Sequence, residues 1–299
     1  MFSLRAGIAF VALFTLFGIS SHTDARTIRV DRTWESIDNA ALANDGAVER
    51  DIVSVAEVPP NGEREARPFS INFFGTVYDS LFINENGVIS FGEPLSAPPR
   101  DIPDIFNAGV PVIVPYFADA DLETHGRVNI DFTFGINMFI TMSSTYQGSP
   151  EPPTLFNAMQ VAFFGSETST DFRLELNYNT VSWESGELDG GTNGLGGIAP
   201  RVGFSDGAGR TYEVAGSGVT GALLSPPTIP GQLFCPPASV SLECNDYFFS
   251  FRNGLPYIND VPIFPAEVPE PGSAALLLTV LGLLLTRRGR PLVSPPVEG

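Results

Sequence analysis

The chain has 299 residues and a formal net charge of −18, and all 16 of its basic residues are arginine. So acidic a balance argues against nucleic acid as a partner, and the absence of lysine removes Schiff-base chemistry and any lysine general base. Hydrophobic residues at 43% supply a core, while 30 glycines and 26 prolines spread along the chain suit short strands joined by tight turns.

The first 25 residues have the layout of a secretory signal. Arg5 provides the positive start and Ala6–Ser20 the apolar stretch. Thr23-Asp24-Ala25 forms a small-residue cleavage site, so the mature chain would begin near Arg26. From 26 to 65 the sequence is polar and acidic with few sustained apolar patterns. Val58–Pro68 reads as a loop leading into the core.

Strand signals begin after that. Asp79–Gly92 is a hairpin pattern, with Leu81–Ile83 and Val88–Phe91 flanking Asn84-Glu85-Asn86-Gly87; Asn and Gly tolerate the positive φ of a tight turn. Val128–Phe134 and Phe172–Tyr178 alternate apolar and polar residues with a period of two, the mark of half-buried antiparallel strands. The apolar parity switches at Val181 and Trp183, which predicts a bulge near Asn179. Met159–Phe164, Arg201–Phe204 and Thr211–Val214 are further strands, the last two separated by an Asp206-Gly207 turn. Gly186–Gly197 is too rich in glycine for regular structure and reads as a surface loop.

No long 3.6-periodic segment lies between 65 and 265. The expected fold is all-β: an antiparallel, sandwich-like domain over 66–218 followed by a β extension over 219–265. That domain would be flanked by an N-terminal signal helix and a short C-terminal hydrophobic helix. The extension carries both cysteines, Cys235 and Cys244. Export to an oxidising compartment favours a bridge between them over two free thiols, and closing so short a loop stabilises by about 2.5–3 kcal/mol in the chain-entropy picture. Two cysteines without clustered histidines do not make a zinc site.

Catalytic machinery is hard to find. His22 leaves with the leader, so His125 is the remaining histidine, and no G-x-S-x-G nucleophile elbow accompanies it. A carboxylate pair for glycosidase chemistry is defined by spatial separation, and nothing in the sequence singles one out. Asp119, Asp121 and Glu123 form an acidic cluster whose oxygens suit Ca²⁺, although their spacing departs from an EF-hand loop. The alternative is that Asp119 and Asp121 cap turns beside the Tyr116–Phe117 pair. No other cofactor is expected. The glycines of 190–197 lack the G-K-[ST] ending of a phosphate cradle.

Several stretches together resemble the extracellular nidogen-like (NIDO) domain, over about Phe69–Ser217. They are INFFGTVYDSLFINENGVISFG, VIVPYFADADLETHGRVNI, LFNAMQVAFF, and the pair LNYNTVSWESGELDGGTNGLGG and RVGFSDGAGRTYEVAGS. Met159 stands where the family usually has Phe. The resemblance implies a non-catalytic module for cell–matrix adhesion or interaction.

The end of the chain resembles the PEP-CTERM sorting signal of Gram-negative bacteria. Its parts are Pro269-Glu270-Pro271, an apolar helix from about Ala274 to Leu285, and the basic residues Arg287, Arg288 and Arg290. That likeness implies exosortase as a processing partner, with transient anchoring in the inner membrane and then transfer to the cell surface or extracellular matrix. The apolar run is shorter than the roughly 20 residues a bilayer core requires, and the arginines favour the cytoplasmic side. Nine residues, PLVSPPVEG, follow the arginines, more than such signals usually carry. The expected function is therefore an exported surface protein that meets extracellular polysaccharide or matrix proteins. A carbohydrate-binding module and a secreted hydrolase are the alternatives.

Overall fold

The computed structural model describes residues 32–43, 45–58, 63–132, 136–166, 168–224 and 246–265. The leader with Ala25, the segment holding Cys235 and Cys244, and the tail holding Pro269, Glu270, Pro271, Arg287, Arg288 and Arg290 lie outside the described residues. So do the two segments expected as flanking helices. Among the described residues no helix is long and apolar enough to cross a membrane.

Among the described residues nineteen strands follow one another, with two 3₁₀ turns at Asn39–Ala41 and Ile105–Asn107. The first six are β1 (Arg32–Ser36), β2 (Ala47–Asp51), β3 (Val53–Val58), β4 (Glu63–Pro68), β5 (Ile71–Phe73) and β6 (Thr76–Tyr78). Next come β7 (Ser80–Asn84), β8 (Val88–Ser90), β9 (Val112–Phe117), β10 (Ala120–Asp121), β11 (Arg127–Phe132) and β12 (Asn137–Tyr146). The last are β13 (Asn157–Phe164), β14 (Phe172–Val181), β15 (Arg201–Ser205), β16 (Thr211–Glu213), β17 (Asp246–Arg252), β18 (Leu255–Ile258) and β19 (Val261–Pro262).

Every pairing between these strands is antiparallel. One sheet runs β1-β11-β12-β13-β14-β17-β18-β19, with β10 paired to β12. The other runs β16-β15-β9-β8-β7-β2. Two ribbons, β3–β4 and β5–β6, complete the fold. The all-β, antiparallel expectation agrees with this architecture, which is consistent with a sandwich.

Alternation explains which face of β11 and β14 meets the second sheet, although Asp131, Glu175 and Asn177 on their opposite faces are buried too. Val128 and Ile130 on β11, Ile140 on β12, Val161 on β13 and Leu174 on β14 share one core with Ile83, Ile89, Ile113 and Phe204 of the second sheet. Phe204 on β15 meets Phe249 and Phe251 on β17 at ring separations of 4.9 and 5.5 Å, so single aromatic contacts join the two sheets. The predicted bulge is present. Ala158 faces Thr180 and Met159 faces Tyr178, which leaves Asn179 as the extra residue. That extra residue resets the parity, so Val181 and Trp183 point inward with Tyr178.

Two findings differ from the sequence reading. Residues 32–68 are not a polar lead-in: β1 and β2 close an edge of each sheet, and Val58–Pro68, read as a loop, contains β4. Edge strands and ribbons bury little, so their sequences need no apolar alternation. β12 escaped notice for the opposite reason, because seven of its first and last residues are buried on both faces and the period of two is erased.

Tight turns lock the register. The Phe74-Gly75 turn between β5 and β6 and the Asn253-Gly254 turn between β17 and β18 both have two residues at positive φ, as a two-residue hairpin of this hand requires. The two turns also pack against each other: a Cβ on Gly254 would sit 2.3 Å from the Gly75 nitrogen. Phe204→Ala should lower stability by about 3–5 kcal/mol in urea denaturation, because it empties a site that both sheets share. Val77→Ser, at a position 54% exposed, should stay within about 0.5 kcal/mol of the parent.

Candidate functional site

At one end of the molecule the chain leaves β14 and makes a long glycine-rich excursion before re-entering the second sheet as β15. Asn157 governs the exit. Its side-chain oxygen accepts from the backbone N–H groups of Ser182 and Trp183 at 2.7 and 3.2 Å, and its amide donates to the Trp183 carbonyl at 2.9 Å. The Tyr116 hydroxyl donates to the same carbonyl at 2.8 Å. The Trp183 indole N–H donates to the Ser144 carbonyl at 3.1 Å, with the ring buried between Tyr116 and Tyr146. A tryptophan so held is a fixed point from which the next residues are placed.

Glu184 follows and is 2% exposed. Its Oε1 accepts from the Gly196 N–H at 2.8 Å and its Oε2 from the Gly221 N–H at 2.6 Å. One buried carboxylate therefore staples two surface loops, 184–199 and 215–224. Such bonds to a charged acceptor are stronger than neutral ones. Within the first loop Gly191 donates to the Gly186 carbonyl and Ile198 to the Asp189 carbonyl. The expected surface loop is thus a folded one, with Glu184, Ser185, Asp189 and Gly194 buried inside it.

Charges gather beside this loop. Arg100 lies between Asp119, at 3.5 Å, and Asp189, at 3.4 Å. Burial raises the Asp119 pKa to about 6, and the Asp189 charge adds to the rise while Arg100 opposes it. Burial also raises Asp189 against the pull of Arg100. For Arg100 burial works against the charged form, yet the carboxylates of Asp119 and Asp189 outweigh it and hold the guanidinium above its ordinary value.

A second buried acid is Glu85, in the tip of the β7–β8 hairpin. It accepts from the Asp45 N–H at 2.6 Å, and burial raises its pKa to about 7 despite that bond. Its neighbour Asn86 donates to Asp45 at 2.7 Å and accepts from the Ala120 N–H at 3.1 Å. The tip therefore ties the turn at Asp45 to the start of β10. Gly87 permits the approach, since a Cβ there would lie 2.1 Å from the Tyr116 carbonyl oxygen.

The predicted acidic residues separate in space. Asp119 is buried and turned to Arg100. Asp121 accepts from the Thr124 N–H at 2.8 Å, the turn-capping role, and Glu123 is exposed. Among the described residues no group of three or more His, Cys, Asp or Glu side chains is placed to hold a metal ion. His125 meets Glu151 at 2.9 Å on the surface. Sequence reasoning did not single out Arg100, Asp189, Glu184 or Glu85. The hairpin signal located Glu85 but only as a turn residue.

Against these charges lies a shallow pocket of about 200 Å³, lined by Pro99, Ile102, Phe117, Ile198, Ala199 and Arg201. Exposed aliphatic side chains surround the loops: Leu188 at 66%, Leu195 at 45%, Ile198 at 39% and Val219 at 55%. The arrangement offers a rigid apolar surface beside a buried charge cluster.

The family described as NIDO related matches residues 63–137, from β4 to the first residue of β12. Alpha-tectorin of Mus musculus is 26% identical over 160 residues, and alpha-tectorin of Homo sapiens is 29% identical over 165 residues. Each alignment covers 45% of this chain and 7% of the tectorin, so the chain spans a small part of those relatives. No solved structure matches. The comparisons support a nidogen-like domain. The matched family segment holds Glu85, Arg100 and Asp119, whereas Glu184 and Asp189 lie beyond it.

The raised carboxyls give a pH dependence with a defined sign. A group whose pKa is higher in the folded chain favours the fold most below its unfolded pKa. Glu85 therefore contributes fully below its ordinary 4.5, and the contribution is lost as the pH climbs to about 7. Asp119 acts in the same direction up to about 6. Melting temperatures between about pH 4.5 and pH 7.5 should fall more steeply for the parent than for Glu85→Gln. Parallel curves would show that Glu85 does not titrate in that window.

Proposed function

We propose that this protein is an exported, non-catalytic interaction module that works at the cell surface or in an extracellular matrix. The observation that carries the reading is the stapled loop end of the β domain. Buried Glu184 fixes two loops whose aliphatic tips face solvent, and an exposed apolar surface held rigid is characteristic of a binding face. The likeness to the nidogen-related family supports a matrix-type role in adhesion or interaction. The pairing of His125 with exposed Glu151, and the occupation of Asp119 and Asp189 by Arg100, supply no nucleophile–base arrangement.

Export and sorting rest on the sequence signals at the two ends. A leader cleaved after Ala25 would deliver the domain across the inner membrane, and the tail would hold it there transiently. An exosortase would then act near Pro269-Glu270-Pro271 and release the body to the surface or to an exopolysaccharide matrix. Arg287, Arg288 and Arg290 would keep the tail oriented until that step. In the oxidising compartment Cys235 and Cys244 would form their bridge.

Between a protein partner and a polysaccharide one, the exposed side chains favour protein. Among the described residues the large exposed hydrophobics are aliphatic apart from Phe156, whereas sugar rings are commonly held on aromatic faces. Mass spectrometry of protein recovered from the matrix fraction of the native host tests the sorting. The expected product begins near Arg26, lacks the LLLTRRGR sequence, and is degraded when intact cells are treated with protease. Full-length protein protected inside the cell would overturn the proposal.

A further inference from the structure

We infer that the stapled loop end docks an extended segment of a partner protein, one that presents an aliphatic or aromatic side chain flanked by arginine or lysine. The inference rests on the extracellular-interaction reading and names the chemistry of the partner.

The pocket sets the first half of that chemistry. Its volume of about 200 Å³ is below the range of roughly 300–1,000 Å³ in which drug-sized ligands are bound. It suits one apolar side chain. Pro99, Ile102, Phe117 and Ile198 supply its apolar walls, and Arg201 with backbone groups supplies the polar ones. Leu195 and Val219 stand exposed on the same two loops, Val219 next to the lining residue Gly218.

Rigidity supports the same conclusion. Beyond the two bonds from Glu184, Gly218 donates to the Pro200 carbonyl at 2.8 Å and the Ser217 hydroxyl accepts from the Val202 N–H at 3.0 Å. The 215–224 loop is thereby fastened to the entry of β15. Both walls of the pocket are fixed before any partner arrives, so little loop entropy is lost on binding. Burying a carboxylate to secure exposed aliphatic tips has no evident benefit for an isolated domain.

Charge sets the second half. Asp101 and Asp104, beside the lining residues Ile102 and Pro103, are exposed, as is Glu213, against Arg201, the one charged residue of the lining; Arg100 is matched to the buried Asp119 and Asp189. Both arginines are already engaged: Arg100 by Asp119 and Asp189, Arg201 by Glu213 and, at 3.8 Å, Asp104. Arg201 also stacks over Phe106, with its guanidinium carbon 5.0 Å from the ring centre. Two exposed acids share Arg201 and Asp101 is exposed beside them, so acid exceeds base at the rim, on a chain whose net charge is −18. A cationic flank on the partner would be drawn to it. A second copy of this chain, or an anionic polysaccharide, would bring negative charge against negative.

The test uses the mature secreted protein and three synthetic peptides of equal length, followed by fluorescence anisotropy. One carries a central Leu-Phe between arginines, one the same centre between glutamates, and one a central Ser-Ser between arginines. The arginine-flanked Leu-Phe peptide should bind roughly tenfold more tightly than either control, and added salt should weaken it. Ile198→Ser combined with Val219→Ser, which removes the apolar surface without adding charge, should weaken that binding by roughly tenfold or more. Val261→Ser, at a more exposed valine on β19 of the other sheet, should leave it unchanged.

Binding that ignores the flanking charge, or that survives the double substitution, overturns the inference. So does purified exopolysaccharide that binds the parent and is lost with the same double substitution. Those outcomes leave the extracellular reading standing. That reading fails separately, if the protein is absent from the cell exterior.

Discussion

Asn157 makes three hydrogen bonds to the backbone of Ser182 and Trp183, and the loop end of this molecule depends on them. A buried amide at the first position of β13 substitutes for the strand pairing that β14 loses as it turns away. The bulge at Asn179 has already reset the phase of β14, so that Trp183 enters the core between Tyr116 and Tyr146. With the tryptophan fixed, Glu184 has one direction available, and it is inward. Both of its oxygens then find N–H groups from loops that are otherwise separate in sequence. The glycine-rich excursion gains its shape from that short sequence of constraints rather than from any regular secondary structure of its own.

The same end of the protein collects four buried acids. Glu85, Asp119, Glu184 and Asp189 are each no more than 6% exposed. Desolvation of charge is expensive, and pairing only partly offsets it. The contacts of Arg100 to two carboxylates at 3.4 and 3.5 Å are long for charge-assisted bonds. They restrain the 95–104 and 186–199 segments without closing on either. Glu85 and Asp119 respond by holding their protons more tightly than free carboxyls do. Stability is thus traded for position: the acids place backbone segments, and the cost appears as a stability that declines toward neutral pH. A binding surface with fixed loops is a physical reason for that arrangement.

The hairpin tip illustrates how a local motif acquires a long-range role. Asn84-Glu85-Asn86-Gly87 reads as a turn, and a turn it is, since Asn84 pairs with Val88 across it. A turn on the surface would leave its polar side chains in water. Here the tip is covered by Asp45–Gly46 and by the Ala118–Ala120 stretch, so Glu85 and Asn86 become connectors. Local chemistry specified the conformation, and packing specified the use. The strands that sequence patterns missed tell the complementary story. β1 and β2 are sheet edges whose polarity guards against edge-to-edge association, while β12 is enclosed so completely that alternation disappears.

What the sequence by itself determined was the all-β class, the phase of the inward residues on β11 and β14, the bulge at Asn179, and the turn positions. All of these follow from contacts between near neighbours, where periodicity and glycine or asparagine chemistry act directly. Only the tertiary structure decided that Asp119 faces Arg100 and Asp189 rather than Asp121 and Glu123, and that Glu184 joins Gly196 to Gly221. The partners in those pairs are separated by 12 to 89 residues, and no local pattern encodes them. Their meeting follows from the order in which strands enter the two sheets. A carboxylate carries the same letter whether it is solvated or buried, and its surroundings alone set its role.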